Sequence, residues 1–502
     1  MSQRNPDWPE GLDTFLDLEV AALVPEAYAH WRPLVAGGLR YFLAALPEER
    51  LETLFVDQLA LPAEASPAER LVALLRHSPT LHKLGQVVAR DRRLAPELRQ
   101  RLQALESLPA STPMPDLRRI LRRELGNALD SLIVAPQALA EGSVAVAVPF
   151  SWPGGEGVFK ILKPGIAARL EEDLAIWVRL AEYLEVESAQ LGLPPLDYRE
   201  ILASVGRLLQ SEVDLAGEQA HMAAAQQTVP AGVVVPALLP WCTPRLTAMT
   251  RVHGQPITEV DGLDPAERRR LATALVHGLL AQPFLDPAAE APFHADPHAG
   301  NLFRTSDGQV ALLDWALVVR VPRPQREALL RLILAALAQD TAGVAEAIAA
   351  MALQAPDPAT LRAIVATALG QVRHGRFPGL GWSLDLLDRI ATQGTLRFPE
   401  ELLLLRKALL TLQGVLADLD PACPTDTLLL GWGLARFVSE LPARALSPLD
   451  ARAFGCPLSL ADLYTWTLST PAAALRYWTG QWQDWGRHFD VRPAAPPPAA
   501  AD

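Results

Sequence analysis

The sequence predicts an α+β protein in which a helical N-terminal block leads into a small mixed β/α lobe and then a large helical lobe. Residues 10 to 130 repeat apolar residues at three- and four-residue spacing, as in EERLETLFVDQLALP and AERLVALLRHSP, which is the period of amphipathic helices. The period changes at Val144. VAVAVPF is a β-rich run, SWPGGEG supplies turn chemistry and VFKIL is a second run, so together they predict a hairpin. A helical stretch follows (about 166 to 226), then two more β-rich runs, GVVVPALL and RLTAMTRV (232–239 and 245–252). From Pro265 onward the pattern is helical, apart from loops expected around 290–320. A small sheet-bearing lobe joined to a helical lobe creates a cleft, where ligand sites concentrate. No fixed-period repeat is visible, and the low-complexity end PAAPPPAAAD (493–502) is expected to be disordered.

Composition narrows the classes. With 502 residues, half of them hydrophobic and a fifth charged, the chain has material for two or three domains' worth of core. A formal charge of −12 argues against a general nucleic-acid binder, and clusters such as RRILRRELG (118–126) read as solvated helix faces. The longest stretch without Asp, Glu, Lys or Arg (219–244) is broken by Pro230, Pro236, Pro240 and Pro244. The most apolar helical stretch, LLLLRKALLTLQGVLADL (402–419), is interrupted by Arg406 and Lys407 and reads as a buried amphipathic helix. MSQRNPDWPEGLDTF lacks the features of a signal peptide. Three scattered cysteines, Cys242, Cys423 and Cys456, fit a reducing cytoplasm without a disulfide frame.

The densest chemistry lies in FHADPHAGNLF, Phe293 to Phe303. As a metal site, His294, Asp296 and His298 alternate and on a strand would share one face, but Pro297 and Gly300 disfavour a strand there. A polar turn between buried segments is the bland reading. Phosphoryl transfer needs a carboxylate for the nucleophile and oxygen ligands for magnesium. Asp296 followed five residues later by Asn301 supplies that pair, and Asp314 ends the β-like run VALL, where a buried carboxylate needs a partner or a metal. Upstream, Lys160 interrupts the apolar run VFKILKP, either as an edge-strand gatekeeper or as a phosphate ligand. Gly142 and Ser143 precede that hairpin and offer backbone N–H groups to phosphates. SEVDLAGEQAHM then brings Glu218, an acid able to pair with Lys160, with Glu212 and Asp214 one to two turns earlier.

With these residues in order, the chain resembles the UbiB/AarF (ADCK) family of atypical, protein-kinase-like proteins. LHKLGQVVARDRRLAPELRQRLQALES (81–107) is similar to the family's KxGQ helix, EVDLAGEQA to its ExD motif and αC-type glutamate, and FHADPHAGN and LLDWA to its DPHPGN and DFG elements. RFPEELLLLRKALLTLQGVLADLDP resembles a C-terminal family segment, and the similarity covers roughly residues 75 to 420. It implies a protein-kinase-like two-lobed fold with a KxGQ helical extension and a large helical C-terminal lobe. The implied boundaries are an N-terminal helical region (1–75), the KxGQ extension (76–130), an N-lobe (131–255), a helical C-lobe (256–425), a Trp-rich helical extension (426–490) and the tail (491–502).

The resemblance also implies roles. Asp296 is the catalytic-loop aspartate, and Asn301 and Asp314 are the magnesium ligands. Gly142, Ser143, Lys160 and Glu218 serve ATP, and backbone groups from Met249 to Val252 hold adenine. Lys83 and Gln86, three residues apart on one helix face, meet Glu212 and Asp214 across the cleft. The implied cofactors are ATP and Mg2+, and the implied setting is isoprenoid-quinone or lipid metabolism, with a protein partner or a lipid, quinone or peripheral membrane contact at the inner face. Departures from the family pattern are AEGS in place of AxAS, DWA in place of DFG, His221 in place of asparagine, and Thr250 or Arg251 in place of an acid near the hinge. Glu141, placed by AEGS beside phosphates, is expected to repel them. His294 is expected to bond backbone near the loop. Trp432, Trp466, Trp478, Trp482 and Trp485, with Tyr464 and Tyr477, would either pack on the helical lobe or lie in a bilayer interface. The alternatives to an ATP-dependent enzyme of this type are a nucleotide-binding pseudokinase scaffold and a small-molecule kinase of the aminoglycoside/choline type.

Overall fold

The computed structural model describes residues 15–89, 93–103, 112–354, 357–392, 396–464 and 467. Short turns aside, helices α1 to α6 come first: Arg32–Ala44, Glu48–Leu59, Pro67–Leu75, Pro79–Val88, Pro96–Gln103 and Met114–Leu125. Strands β1 to β4 (Ile133–Val134, Ala140–Glu141, Ala145–Trp152, Gly155–Leu162) precede helices α7 to α9 (Ile166–Gln190, Tyr198–Val213, Leu215–Thr228). Then come β5 (Val233–Val234), β6 (Leu246–Thr250), β7 (Gly254–Pro256) and α10 (Pro265–Val276). Strands β8 to β11 (Glu290–His294, Leu302–Thr305, Val310–Leu312, Val318–Pro322) follow. Helices α11 to α16 (Arg323–Leu337, Thr341–Met351, Pro358–Arg373, Leu380–Thr392, Glu400–Leu419, Thr425–Arg444) complete the order. The chain divides into two compact units, one of Met1–Gln227, Val235–Val252 and Asp314–Leu317, the other of Thr228–Val234, His253–Leu313 and Val318–Asp502.

In the first unit an antiparallel sheet runs β1-β3-β4-β6, with β2 also on β3. Alternation along the strands sorts the side chains. Val146, Val148, Phe150, Phe159, Ile161, Leu246 and Ala248 face one way and pack with Leu117 and Leu121 of α6. Lys160 falls on the opposite face, paired in register with Ala147 and Thr247. A separate helical core joins Leu34, Phe42, Leu54, Leu74 and Leu81 to Leu170, Ile176, Trp177 and Leu209 of α7 and α8.

That helical core contains one buried charge that positions the KLGQ helix, α4. Asp173 of α7 is fully buried and accepts hydrogen bonds from the Ser78 hydroxyl and from Thr80 Oγ1 at 3.0 Å. Arg50 of α2 closes the pair at 2.8 Å. Ser78 is at the same time the N-cap of α4, accepting from Leu81 N, and Pro79 takes the first turn, where a missing N–H costs nothing.

The second unit holds a sheet ordered β5-β10-β9-β7 and a ribbon of β8 with β11. The expected run 232–239 is a strand only at Val233–Val234, with one further bridge at Leu238, because Pro236 and Pro240 lack the N–H that a ladder needs. The loops expected around 290–320 are four short strands. None exceeds five residues, and Pro, Gly and Asp interrupt them, so apart from the β-like run VALL no period is long enough to read. Buried Arg326 of α11 ties down the segment before β8, donating to the carbonyls of Pro283, Asp286 and Ala288.

Candidate nucleotide site and catalytic loop

In the first unit Lys160 Nζ lies 2.7 Å from Glu218 Oε1 and 3.0 Å from Asp314 Oδ2. The lysine is 15% exposed, Glu218 0% and Asp314 37%, so the cluster is closed at the glutamate and open at the aspartate. Burial opposes the charge of Lys160, yet Asp314 and Glu218 outweigh it and hold the ammonium protonated well above its ordinary range. Burial, with the negative charge of Asp314, pushes the Glu218 carboxyl up against the pull of Lys160.

Helix α9 fixes the partners of this cluster. Trp315 N donates to Glu218 Oε1 at 3.3 Å, and Ala316 N donates to Asp314 Oδ1 at 2.9 Å, so the DWA backbone is fastened at two points. A third comes from His221, whose Nδ1 donates to the Trp315 carbonyl at 3.1 Å. Gln219 ties the helix to β6 through the Thr243 and Leu246 carbonyls.

Lys83 of α4 pairs with Glu212 of α8, while Ser143 donates to the other oxygen of Glu212 at 2.9 Å. The KLGQ helix and the AEGS loop thus share one carboxylate. Gln86 lies one turn further along α4, half-buried. Asp214 goes elsewhere: its carboxylate accepts from Gly217 N at 2.9 Å and caps α9. A Cβ on Gly217 would meet that carboxylate at 2.4 Å, so a larger residue there would have to displace the capping side chain. Glu141 does not present its charge to the loop. It is buried, 2.9 Å from Lys163, and accepts from Thr112 N at 2.9 Å. Gly142 N bonds Ala145 O at 2.8 Å.

In the expected hinge, Met249 is paired with Val158 in β6. The N–H of Thr250 donates to Ala237 O and that of Arg251 to Glu156 O; Val252 is the last residue of this unit before the second begins.

In the second unit Asp296 sits two residues beyond β8 in a tight turn. Its carbonyl accepts from His298 N at 2.9 Å and from Asn301 Nδ2 at 3.2 Å. His294 Nδ1 accepts from Asp296 N at 3.3 Å, the backbone-holding role expected for it, and His298 Nδ1 accepts from Gly300 N at 3.1 Å. Both rings thereby spend a nitrogen on the turn rather than on a metal. The Asp296 carboxylate faces Lys407 of α15, Nζ to Oδ1 3.3 Å. In the sequence Lys407 shows only as a charge interrupting an apolar helix, inside LLLLRKALL.

A carboxylate and an amide oxygen are hard ligands of the kind magnesium takes; Asp314 supplies the first from the first unit and Asn301 the second from the second unit. No group of three or more His, Cys, Asp or Glu able to cage a metal occurs among the described residues. Nor is any helix among them long and apolar enough to cross a membrane. Of the Trp-rich segment, Trp432 stacks on His277 at 4.5 Å within the second unit and Tyr464 is exposed. Trp466, Tyr477, Trp478, Trp482 and Trp485 lie outside the described residues.

A family model described as the ABC1 atypical kinase-like domain matches residues 105–348. A protein named probable protein kinase UbiB from Marinobacter nauticus is 27% identical over 375 residues, 71% of this chain and 67% of that one. Its namesake from Xanthomonas campestris is 27% identical over 466 residues, 82% and 79% of the two chains. A chloroplastic aarF domain-containing protein kinase of Arabidopsis thaliana, named as uncharacterized, is 29% identical over 282 residues, and this match spans 50% of that protein. The solved complex of Rv3197 with erythromycin, from Mycobacterium tuberculosis, is similar with a TM-score of 0.51 at 17% identity, over 78% of this chain and 90% of that one. At that identity the likeness is one of fold. With the family model it implies a mixed, mostly helical kinase-like architecture.

Proposed function

We propose, because this chain belongs to the ABC1/UbiB (aarF-domain) family of atypical kinase-like proteins, that it is a magnesium-dependent, ATP-binding kinase or ATPase. The observation that carries the reading is the Lys160–Glu218–Asp314 cluster, a buried ammonium held between two carboxylates, one of which stays open to solvent. Lys160 binds phosphate oxygens, and Glu218 sets its position. Gly142 and Ser143 cover the phosphates, and the Met249–Val252 backbone takes the adenine. Asp296 orients the nucleophile and accepts its proton as the new O–P bond forms and the bond to ADP breaks. Asn301 and Asp314 hold magnesium, which when bound neutralises charge between the phosphates. Lys83, Gln86 and Glu212 gate access. The acceptor lies in isoprenoid-quinone or lipid metabolism, the setting that the family resemblance implies. The KLGQ helix weighs against a small-molecule kinase of the aminoglycoside/choline type, which has no use for one.

The test is a melting-temperature shift with MgATP, followed by ATP hydrolysis, in wild type, Lys160→Ala and Asp314→Asn. At a ligand concentration of 100 Kd the wild type gains about 2.7 kcal/mol, and both variants lose most of it. A wild type that does not respond to nucleotide and metal ends the enzyme reading. The second reading, a nucleotide-binding scaffold, is favoured by the Ser143–Glu212 bond, which engages the loop hydroxyl with the partner of the KLGQ helix. Binding without turnover, even with membranes or phenolic precursors added, selects it.

A further inference from the structure

We infer that Lys407 of α15 is a positioning residue for phosphoryl transfer, acting through Asp296. The inference rests on the catalytic reading of Asp296 and adds a residue to it. The fold explains why a lysine so distant in sequence arrives there. Strand β8 delivers the turn and pairs with β11, His294 opposite Val318 and Phe293 opposite Val319. Helix α15 packs on β11. Its apolar stripe, Leu402, Leu405, Leu409, Leu412 and Leu416, is buried, and Lys407, half-buried, projects from the other side of the helix. From there its ammonium reaches the turn, 3.3 Å from Asp296 Oδ1.

The chemistry follows from burial. Asp296 is 20% exposed and Lys407 28%, and Oδ1 itself is withdrawn from solvent. A carboxylate so placed is costly unless a cation or donors compensate it. The turn spends its own hydrogen bonds on the Asp296 carbonyl and amide, not on this carboxylate oxygen. Lys407 therefore fixes which carboxylate oxygen turns to the ammonium and which accepts the proton of the nucleophile. Catalysis depends steeply on such orientation.

The experiment measures ATP hydrolysis and the MgATP-induced melting shift on the full chain, in wild type, Lys407→Met, Lys407→Arg, Asp296→Asn and the double variant Asp296→Asn/Lys407→Met. Lys407→Met is expected to lower kcat on the order of 100-fold, with KM for ATP and the MgATP shift within about twofold of wild type. Lys407→Arg should recover most of kcat, and in the Asp296→Asn background Lys407→Met should add no further loss, as for residues that act as one unit. An unchanged kcat in Lys407→Met overturns the inference and leaves the enzyme reading standing. A further loss in the Asp296→Asn background overturns it by showing that Lys407 acts elsewhere. Equal losses in Met and Arg variants, with a collapsed melting temperature in the absence of ligand, overturn it as a structural role. A wild type without nucleotide response or turnover removes the enzyme reading and the inference with it.

Discussion

Lys160 and Asp296 are both charged groups delivered from strands, and the chain secures them in different ways. Lys160 sits within β4, its ammonium between a fully buried carboxylate and a half-open one. Asp296 lies past the end of β8 in a turn closed by backbone and imidazole hydrogen bonds, with one lysine on its carboxylate. In the first region charge pairing is part of what holds the unit together. In the second the backbone makes the turn, and the carboxylate is an addition to it. Damage at Lys160's site should appear first in stability, and damage at Asp296 first in activity.

The largest expected effect tests that contrast directly. Glu218→Ala strips a buried ammonium of its closest partner and should cost about 3–5 kcal/mol, read from denaturant unfolding. Asp296→Asn, compared in the same assay, should stay within about 1 kcal/mol of wild type while lowering hydrolysis to a small residual rate. Equal destabilisation at both sites would break the comparison. Next comes Asp173→Ala, which removes the acceptor for Ser78, Thr80 and Arg50. A loss of about 2–3 kcal/mol is expected from the donors left unmet, together with faster amide exchange in α4, while the turn at Asp296 keeps its protection. The smallest effect is at Gly142. A Cβ there makes only ordinary contact, 3.7 Å from Ala145 O, so Gly142→Ala should change stability by less than about 1 kcal/mol, most simply as a gain. A large loss would mean that the loop beside Lys160 is as constrained as the lysine itself.

How much of this could be read beforehand follows the range of the interactions. Asp296 and Asn301 are five residues apart in one turn, and the hydrogen bond between them is local, so their spacing signals the loop. The β3–β4 hairpin and the amphipathic helices were legible for the same reason, since a periodicity of two or 3.6 is written in consecutive residues. Of the four strands between Glu290 and Pro322 only the one in the run VALL shows in the sequence; the other three are too short to show a period and gain their order from partners elsewhere in the chain. Asp214 carried a motif's expectation of meeting the KLGQ helix; its carboxylate caps α9, a local bond close at hand.

The sequence by itself determined the residue chemistry: a lysine interrupting an apolar strand, a helical glutamate, two aspartates and an asparagine at telling intervals. Only the tertiary structure decided which charges meet. Glu218 and Asp314 reach Lys160 from 58 and 154 residues away, and Glu212 meets Lys83 across 129. It also turned Glu141 onto Lys163 and brought Lys407 to Asp296. A charge withdrawn from water must find its counter-charge within a few ångströms, and which residue arrives there depends on how strands and helices pack.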